Sequence, residues 1–156
     1  MYKKIMVPLD GSKLAECVFP HLETIVKGSD SPEVLLVQAV EPIAIPYARE
    51  TSHLKSLEQL EEFETHNKVE AEKYLKATVA RLGKKGIKAR AVVIYGKAAD
   101  ALGEFAVKNA VDLVLIATHG RSGVSHWVWG SVADRLLRSI CAPVFMIRVP
   151  GCVLGI

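Results

Sequence analysis

Leu113-Val114-Leu115-Ile116-Ala117 is a five-residue run of purely apolar side chains, and Thr118-His119-Gly120-Arg121-Ser122-Gly123 follows it at once. So short a run, bounded by polar and glycine-rich chain, reads as a β-strand covered on both faces. Gly130-Ser131-Val132 then opens a segment of helical period, Ser131 to Ile140, with Val132, Leu136, Leu137 and Ile140 predicted inward. The unit is strand, long loop, helix. The loop is longer than the two to six residues typical of a βα connection.

Outward from this unit the alternation repeats along the chain. Apolar runs at Lys4 to Leu9, Val34 to Val40, Ile87 to Tyr95 and Val144 to Val149 read as four further strands. The run from Ile87 alternates through Ala89, Ala91 and Val93, which places it near a sheet edge. Between the strands, Leu14, Val18, Leu22 and Ile25 keep helical spacing behind a Ser12 N-cap, and Pro20 within that pattern predicts a kink. A long helix over Leu54 to Leu82 carries a loose apolar face and a charged remainder, with Gly83 as its expected C-terminal cap. A further helix spans Ala98 to Asn109, with Leu102, Phe105 and Ala106 inward. The order β-α-β-α-β-α-β-α-β, with right-handed crossovers, predicts a single-domain α/β fold: an open five-stranded parallel sheet with helices on both faces.

Composition bounds what such a domain does. The 156 residues suit one domain able to bury about 70% of its unfolded surface. A net charge of +3 is too small to imply nucleic-acid binding, and no run approaches a membrane span or a signal peptide, so a cytoplasmic protein is expected. Cys17, Cys141 and Cys152 lack metal-ligand spacing and read as reduced, mostly buried thiols. P-loop, dinucleotide and nucleophile-elbow motifs are all absent.

Two strand ends carry the chemistry. The first strand closes Val7-Pro8-Leu9-Asp10-Gly11-Ser12, and the fourth enters the glycine loop already quoted. In a doubly wound sheet, ligands bind beyond the carboxyl ends of the strands where the strand order reverses. An anion suits the helix after Gly130, whose first N–H groups lack partners and sit at the positive end of the helix dipole. The Ser131 hydroxyl adds a donor, Gly120 a tight turn and Arg121 a cation. Asp10 is an acceptor for a ribose hydroxyl or an amino group, or an aid in holding a phosphate-borne metal. The plainer alternatives stand beside these: glycines as turn and cap residues, Asp10-Gly11-Ser12 as a strand end and cap, His119 as a structural hydrogen-bonding residue, and Trp127 and Trp129 as packing anchors.

Together these residues resemble the universal stress proteins. That family's nucleotide loop has the form G-x-x-G, nine residues, then G-[S/T]; here it reads Ala117-Thr118-His119-Gly120, nine residues, Gly130-Ser131. Ile5 to Ser12 resembles the family's first strand with its aspartate, and Ser139 to Ile147 its last helix-to-strand passage. The resemblance implies strand order 3-2-1-4-5, a domain over 1–150 with a short apolar tail at 151–156, and a homodimer paired through Val144 to Val149. It implies ATP, ADP or AMP with Mg²⁺ carried by the nucleotide, phosphates and ribose on Ala117, Gly120, Gly130, Ser131 and Val132, and adenine near Pro8, Leu9, Asp10 and Ala39. Thr118, His119 and Arg121 lie in the same loop. Two departures stand out: Ala117 replaces the first loop glycine, and Ala98 stands where many members have the proline of Gly-x-Pro. The expected role is a regulatory nucleotide binder in stress response with at most slow hydrolysis. The alternative is a nucleotide-free dimeric interaction module; an adenylating enzyme is a third, for which no substrate domain is visible.

Overall fold

A computed structural model of the chain describes residues 2–42, 53–118 and 131–148. Five strands form one parallel sheet: β1 (Lys4–Pro8), β2 (Glu33–Val40), β3 (Ala89–Tyr95), β4 (Leu113–Thr118) and β5 (Val144–Arg148), in the order β3-β2-β1-β4-β5. A 3₁₀ turn (Ala15–Val18) with α1 (Phe19–Lys27), and then α2 (His53–Gly83), make the crossovers on one face. The helices α3 (Ala98–Lys108) and α4 (Ser131–Ser139) cover the other.

The two cores follow from strand alternation. Ile5, Val7, Val34, Leu36, Leu113 and Leu115 face α1 and α2, where Leu22, Leu75 and Leu82 meet them. Met6, Leu35, Val37, Val114 and Ile116 face α3 and α4, where Leu102, Ala106 and Leu136 meet them. Each such aliphatic side chain, once buried, contributes roughly 1.5–3 kcal/mol. The outer strand β3 is largely half-buried or exposed, as its alternation predicts.

Local chemistry corrects the expected helices at several points. The Ser12 hydroxyl accepts a 3.1 Å hydrogen bond from the Ala15 N–H and so caps a 3₁₀ turn. The winding changes to α at Phe19, which puts Pro20 in the first helical turn, where its missing N–H is no loss. The kink expected inside a longer helix is thus a junction of two helix types. At the other end of α2, Gly86, at φ +79°, is the capping glycine. Its N–H donates to Gly83 and the Ile87 N–H to Leu82, the paired bonds of a Schellman motif, whereas Gly83 lies within the last turn. Leu137, expected inward, is 45% exposed, and Ala133 takes the inner face of α4 in its place. The cysteines are less buried than expected: Cys17 is half-buried and Cys141 exposed, both free, while Cys152 lies outside the described residues.

The amino end of the β1–β4 seam is clamped. Both carboxylate oxygens of Asp112 accept backbone N–H bonds, from Lys3 at 2.7 Å and Lys4 at 3.0 Å. Toward the carboxyl end the seam parts: β1 and β4 pair only at Ile5–Leu113 and Met6–Val114, whereas β1–β2 and β4–β5 pair along their lengths. This is the point where the crossovers switch faces, and the sheet opens there into a crevice.

Candidate functional site

Beyond the parted strands lies a cavity of about 250 Å³. Pro8, Leu9 and Asp10 from the end of β1, Ala39 from β2, Ala117 from β4 and Val132 from α4 line it, so six of the sequence-predicted residues meet in one place. Thr118 is the buried last residue of β4, and Ser131 is the first residue of α4. His119, Gly120, Arg121 and Gly130 lie outside the described residues, as do Trp127, Trp129 and the tail at 151–156. Sequence reasoning missed five lining residues, Ala15, Ala98, Leu102, Ile116 and Ala133. Small or aliphatic residues on helices and strands read as core, and only the tertiary arrangement leaves them facing a void.

Three groups give the cavity its polar character. Asp10 Oδ1 accepts the Ser12 N–H at 2.9 Å, closing a turn through Gly11, whose φ of +84° favours glycine. The carboxylate is thereby aimed, and its second oxygen makes no hydrogen bond among the described residues. At Ala39 the backbone itself becomes a recognition edge. The β1–β2 ladder ends at Pro8–Val37, with the Leu9 N–H donating to the Val37 carbonyl at 2.9 Å. In a parallel ladder alternate residues point both peptide groups to the same side, so Ala39 is next to face β1, which has already ended. It presents one donor and one acceptor at the crevice. The third group is the N-terminus of α4, with its partial positive charge.

Ala117 fits this arrangement without strain. Among the described non-glycine residues only Ser31 and Ala110 have positive φ, and Ala117 is an ordinary strand residue paired with Ile147. Its methyl packs against the core on the α1 and α2 face. The loss of the family's glycine therefore needs no backbone change here.

At the strand-three end Ala98 opens α3, and its N–H donates to Glu41 Oε1 at 2.9 Å. On the α2 side, Tyr74 donates to Glu16 at 3.2 Å and Arg81 pairs with the same oxygen at 2.8 Å while stacking over Phe19. Burial, then the adjoining Glu16 carboxylate, pushes the Tyr74 phenol well above its usual range. Burial also pushes the Cys17 thiol up, away from thiolate reactivity. No group of three or more His, Cys, Asp or Glu suited to a metal occurs among the described residues, and no helix among them is long and apolar enough to cross a membrane.

An open parallel sheet of order 3-2-1-4-5, with a crevice at its switch point, defines a doubly wound α/β protein of the nucleotide-binding fold class. More narrowly, the chain belongs to the universal stress protein family, whose sequence profile matches residues 1–148. Two universal stress proteins of Methanocaldococcus jannaschii are similar along nearly all of it. MJ0531 is 29% identical over 153 residues, covering 96% of this chain and 84% of that protein; MJ0577 is 26% identical over 157 residues, covering 95% and 96%. The solved structure of MJ0577 matches with a TM-score of 0.79 at 22% identity, covering 97% of this chain and 99% of that one. A universal stress protein in complex with cAMP matches at 0.68 and 18% identity, covering 95% and 98%. An Arabidopsis thaliana member with AMP bound matches at 0.67 and 18%, covering 96% and 93%. At these identities the structural matches establish the fold.

Proposed function

We propose that this universal stress protein binds an adenine nucleotide, ATP or its ADP or AMP relatives, in the switch-point crevice as a regulatory ligand in stress response. The observation that carries the reading is the coincidence of an apolar cavity with the unpaired peptide edge of Ala39. A purine offers flat apolar faces and, in adenine, a ring acceptor next to an amino donor, the complement of that edge. Leu102, Ile116 and Val132 supply apolar wall. Asp10 takes a ribose hydroxyl. The phosphates run to the N-terminus of α4, where Ser131 and the loop residues Thr118, His119, Gly120, Arg121 and Gly130 meet them. Two relatives of this fold bind cAMP and AMP, which supports an adenine nucleotide here.

Mg²⁺ enters on the phosphates, since the described residues offer no metal cage of their own. The residues here bind and orient: among the described residues none beside the cavity is placed to activate water, which supports a ligand sensed more than consumed. The cytoplasm is the compartment where such a nucleotide is available. The edge strand β5, with Phe145 half exposed, supports pairing of two chains through residues 144–149.

The test is to denature purified protein, identify any released nucleotide chromatographically, and titrate Mg-ATP into the stripped chain by calorimetry. Saturable binding near one per chain, lost in a folded Ala98→Phe variant that fills the cavity mouth, supports the reading. No released nucleotide and no binding at millimolar ATP overturns it, in favour of a nucleotide-free dimeric module acting through β5.

A further inference from the structure

Among the described residues, arginines are matched with carboxylates at all positions but one. Arg81 pairs with Glu16, Arg90 with Glu33, Arg135 with Asp100 and Arg138 with Asp134, each at 2.8–3.2 Å. Arg148 is the exception: among the described residues it is the arginine with no ion pair or hydrogen bond. It is exposed, and it ends β5.

Its position is fixed by two independent features. The β4–β5 register sets Arg148 directly opposite Thr118, the last residue of β4 before the glycine loop. Strand alternation puts its side chain on the same face as Val144 and Met146, which pack in the core beneath α3 and α4. The guanidinium therefore leaves the sheet on the α4 side at the carboxyl edge. In sheet order, the Ala39 edge lies on β2, the cavity spans β1 and β4, and Arg148 follows on β5, about 14 Å from Ala39 at three interstrand spacings.

We infer that Arg148 reads the length of the ligand's phosphate chain. This rests on the nucleotide reading above and adds a specificity residue to it. With the base on β2 and the sugar at Asp10, a single phosphate ends over β4 at the start of α4. Each further phosphoryl group carries negative charge toward β5 and the Arg148 guanidinium. Arginine binds phosphate oxygens through parallel N–H bonds, and here no carboxylate among the described residues must first be displaced. The same residue is indifferent to a nucleoside and nearly so to a monophosphate, so it favours the triphosphate.

Calorimetric titration of ATP, AMP and adenosine into the stripped parent chain, Arg148→Ala and Arg148→Lys tests this. The expected result is an ATP affinity lower by about tenfold in Arg148→Ala, with AMP and adenosine changed by less than about twofold. Arg148→Lys recovers part of the loss, and the parent's ATP-over-AMP preference falls as salt rises. Equal losses for all three ligands, or a change of oligomeric state by light scattering that accounts for the loss, would assign Arg148 a structural role and overturn the inference. Unchanged ATP affinity with AMP binding intact overturns this inference alone. Failure of the parent to bind any of the three overturns the nucleotide reading, and this one with it.

Discussion

The carboxylate of Glu41, just past the end of β2, accepts a 2.9 Å hydrogen bond from the backbone N–H of Ala98, the first residue of α3. A proline at 98, as in many relatives this chain resembles, has no N–H to satisfy. Alanine restores the donor at a helix end that lacks an intrahelical partner, and Glu41 reaches across from the neighbouring strand to meet it. Lys97, the N-cap residue, makes no side-chain cap bond, so Glu41 does that work from a distance of 57 residues in sequence.

Glu41→Ala is accordingly expected to destabilise the fold by about 1 kcal/mol, the ordinary cost of a lost cap. In an Ala98→Pro background the same change is expected to cost nothing measurable, because the donor is gone and proline suits a first helical position. Urea melts of the four proteins in this cycle check it. Equal losses in both backgrounds would show that Glu41 acts through something other than the Ala98 N–H.

Adjacent leucines of α4 separate core from surface. Leu136 is fully buried and Leu137 is 45% exposed. Leu136→Ala is expected to cost about 2–5 kcal/mol, and Leu137→Ala no more than about 0.5 kcal/mol. Comparable midpoints for the two variants in urea would contradict the assigned face of α4.

Two glycines at the end of α2 are expected to respond in opposite directions. Gly86 sits at φ +79°, so Gly86→Ala is expected to destabilise by about 1 kcal/mol. Gly83 has helical geometry and nothing within 4 Å of an added Cβ, so Gly83→Ala is expected to be neutral or stabilising by up to about 1 kcal/mol. Thermal unfolding of both variants decides which glycine ends the helix.

The raised Tyr74 pKa gives a stability change at alkaline pH. The folded chain holds the phenol proton more tightly than the unfolded chain, in which tyrosine titrates near about 10. The contribution is fully present below that pH and is lost as pH rises above it toward the folded pKa. Urea midpoints measured across that range are expected to fall more steeply for the parent than for Tyr74→Phe. Parallel curves would mean the Tyr74–Glu16 contact leaves the phenol's titration unchanged.

Ala117→Gly is expected to lower stability by about 0.5–1 kcal/mol while leaving nucleotide affinity within about twofold, since the strand already holds alanine without strain. A large gain in affinity would show that the methyl obstructs the ligand.

Periodicity and side-chain type made much of this protein legible in its sequence. Continuous apolar runs such as Leu113 to Ala117 can be satisfied only by burial on both faces, which demands strands with helices above and below. The end of the first strand singled out Asp10, and the resemblance of Ala117 to Ser131 to the family's loop pointed to the carboxyl end of β4. Where several local solutions had similar energies, sequence left the choice open or misdirected it. Pro20 suits a kink or a first turn equally, Gly83 and Gly86 both suit a cap, and Leu137 continues the apolar pattern of α4 yet points to solvent. The tertiary structure alone decided these, along with the parting of β1 from β4, the reach of Glu41 to Ala98 and, among the described residues, the unpaired peptide edge at Ala39 and the unmatched guanidinium of Arg148. Each depends on which groups remain without a partner once the strands are in register, and that is a property of distant segments brought together.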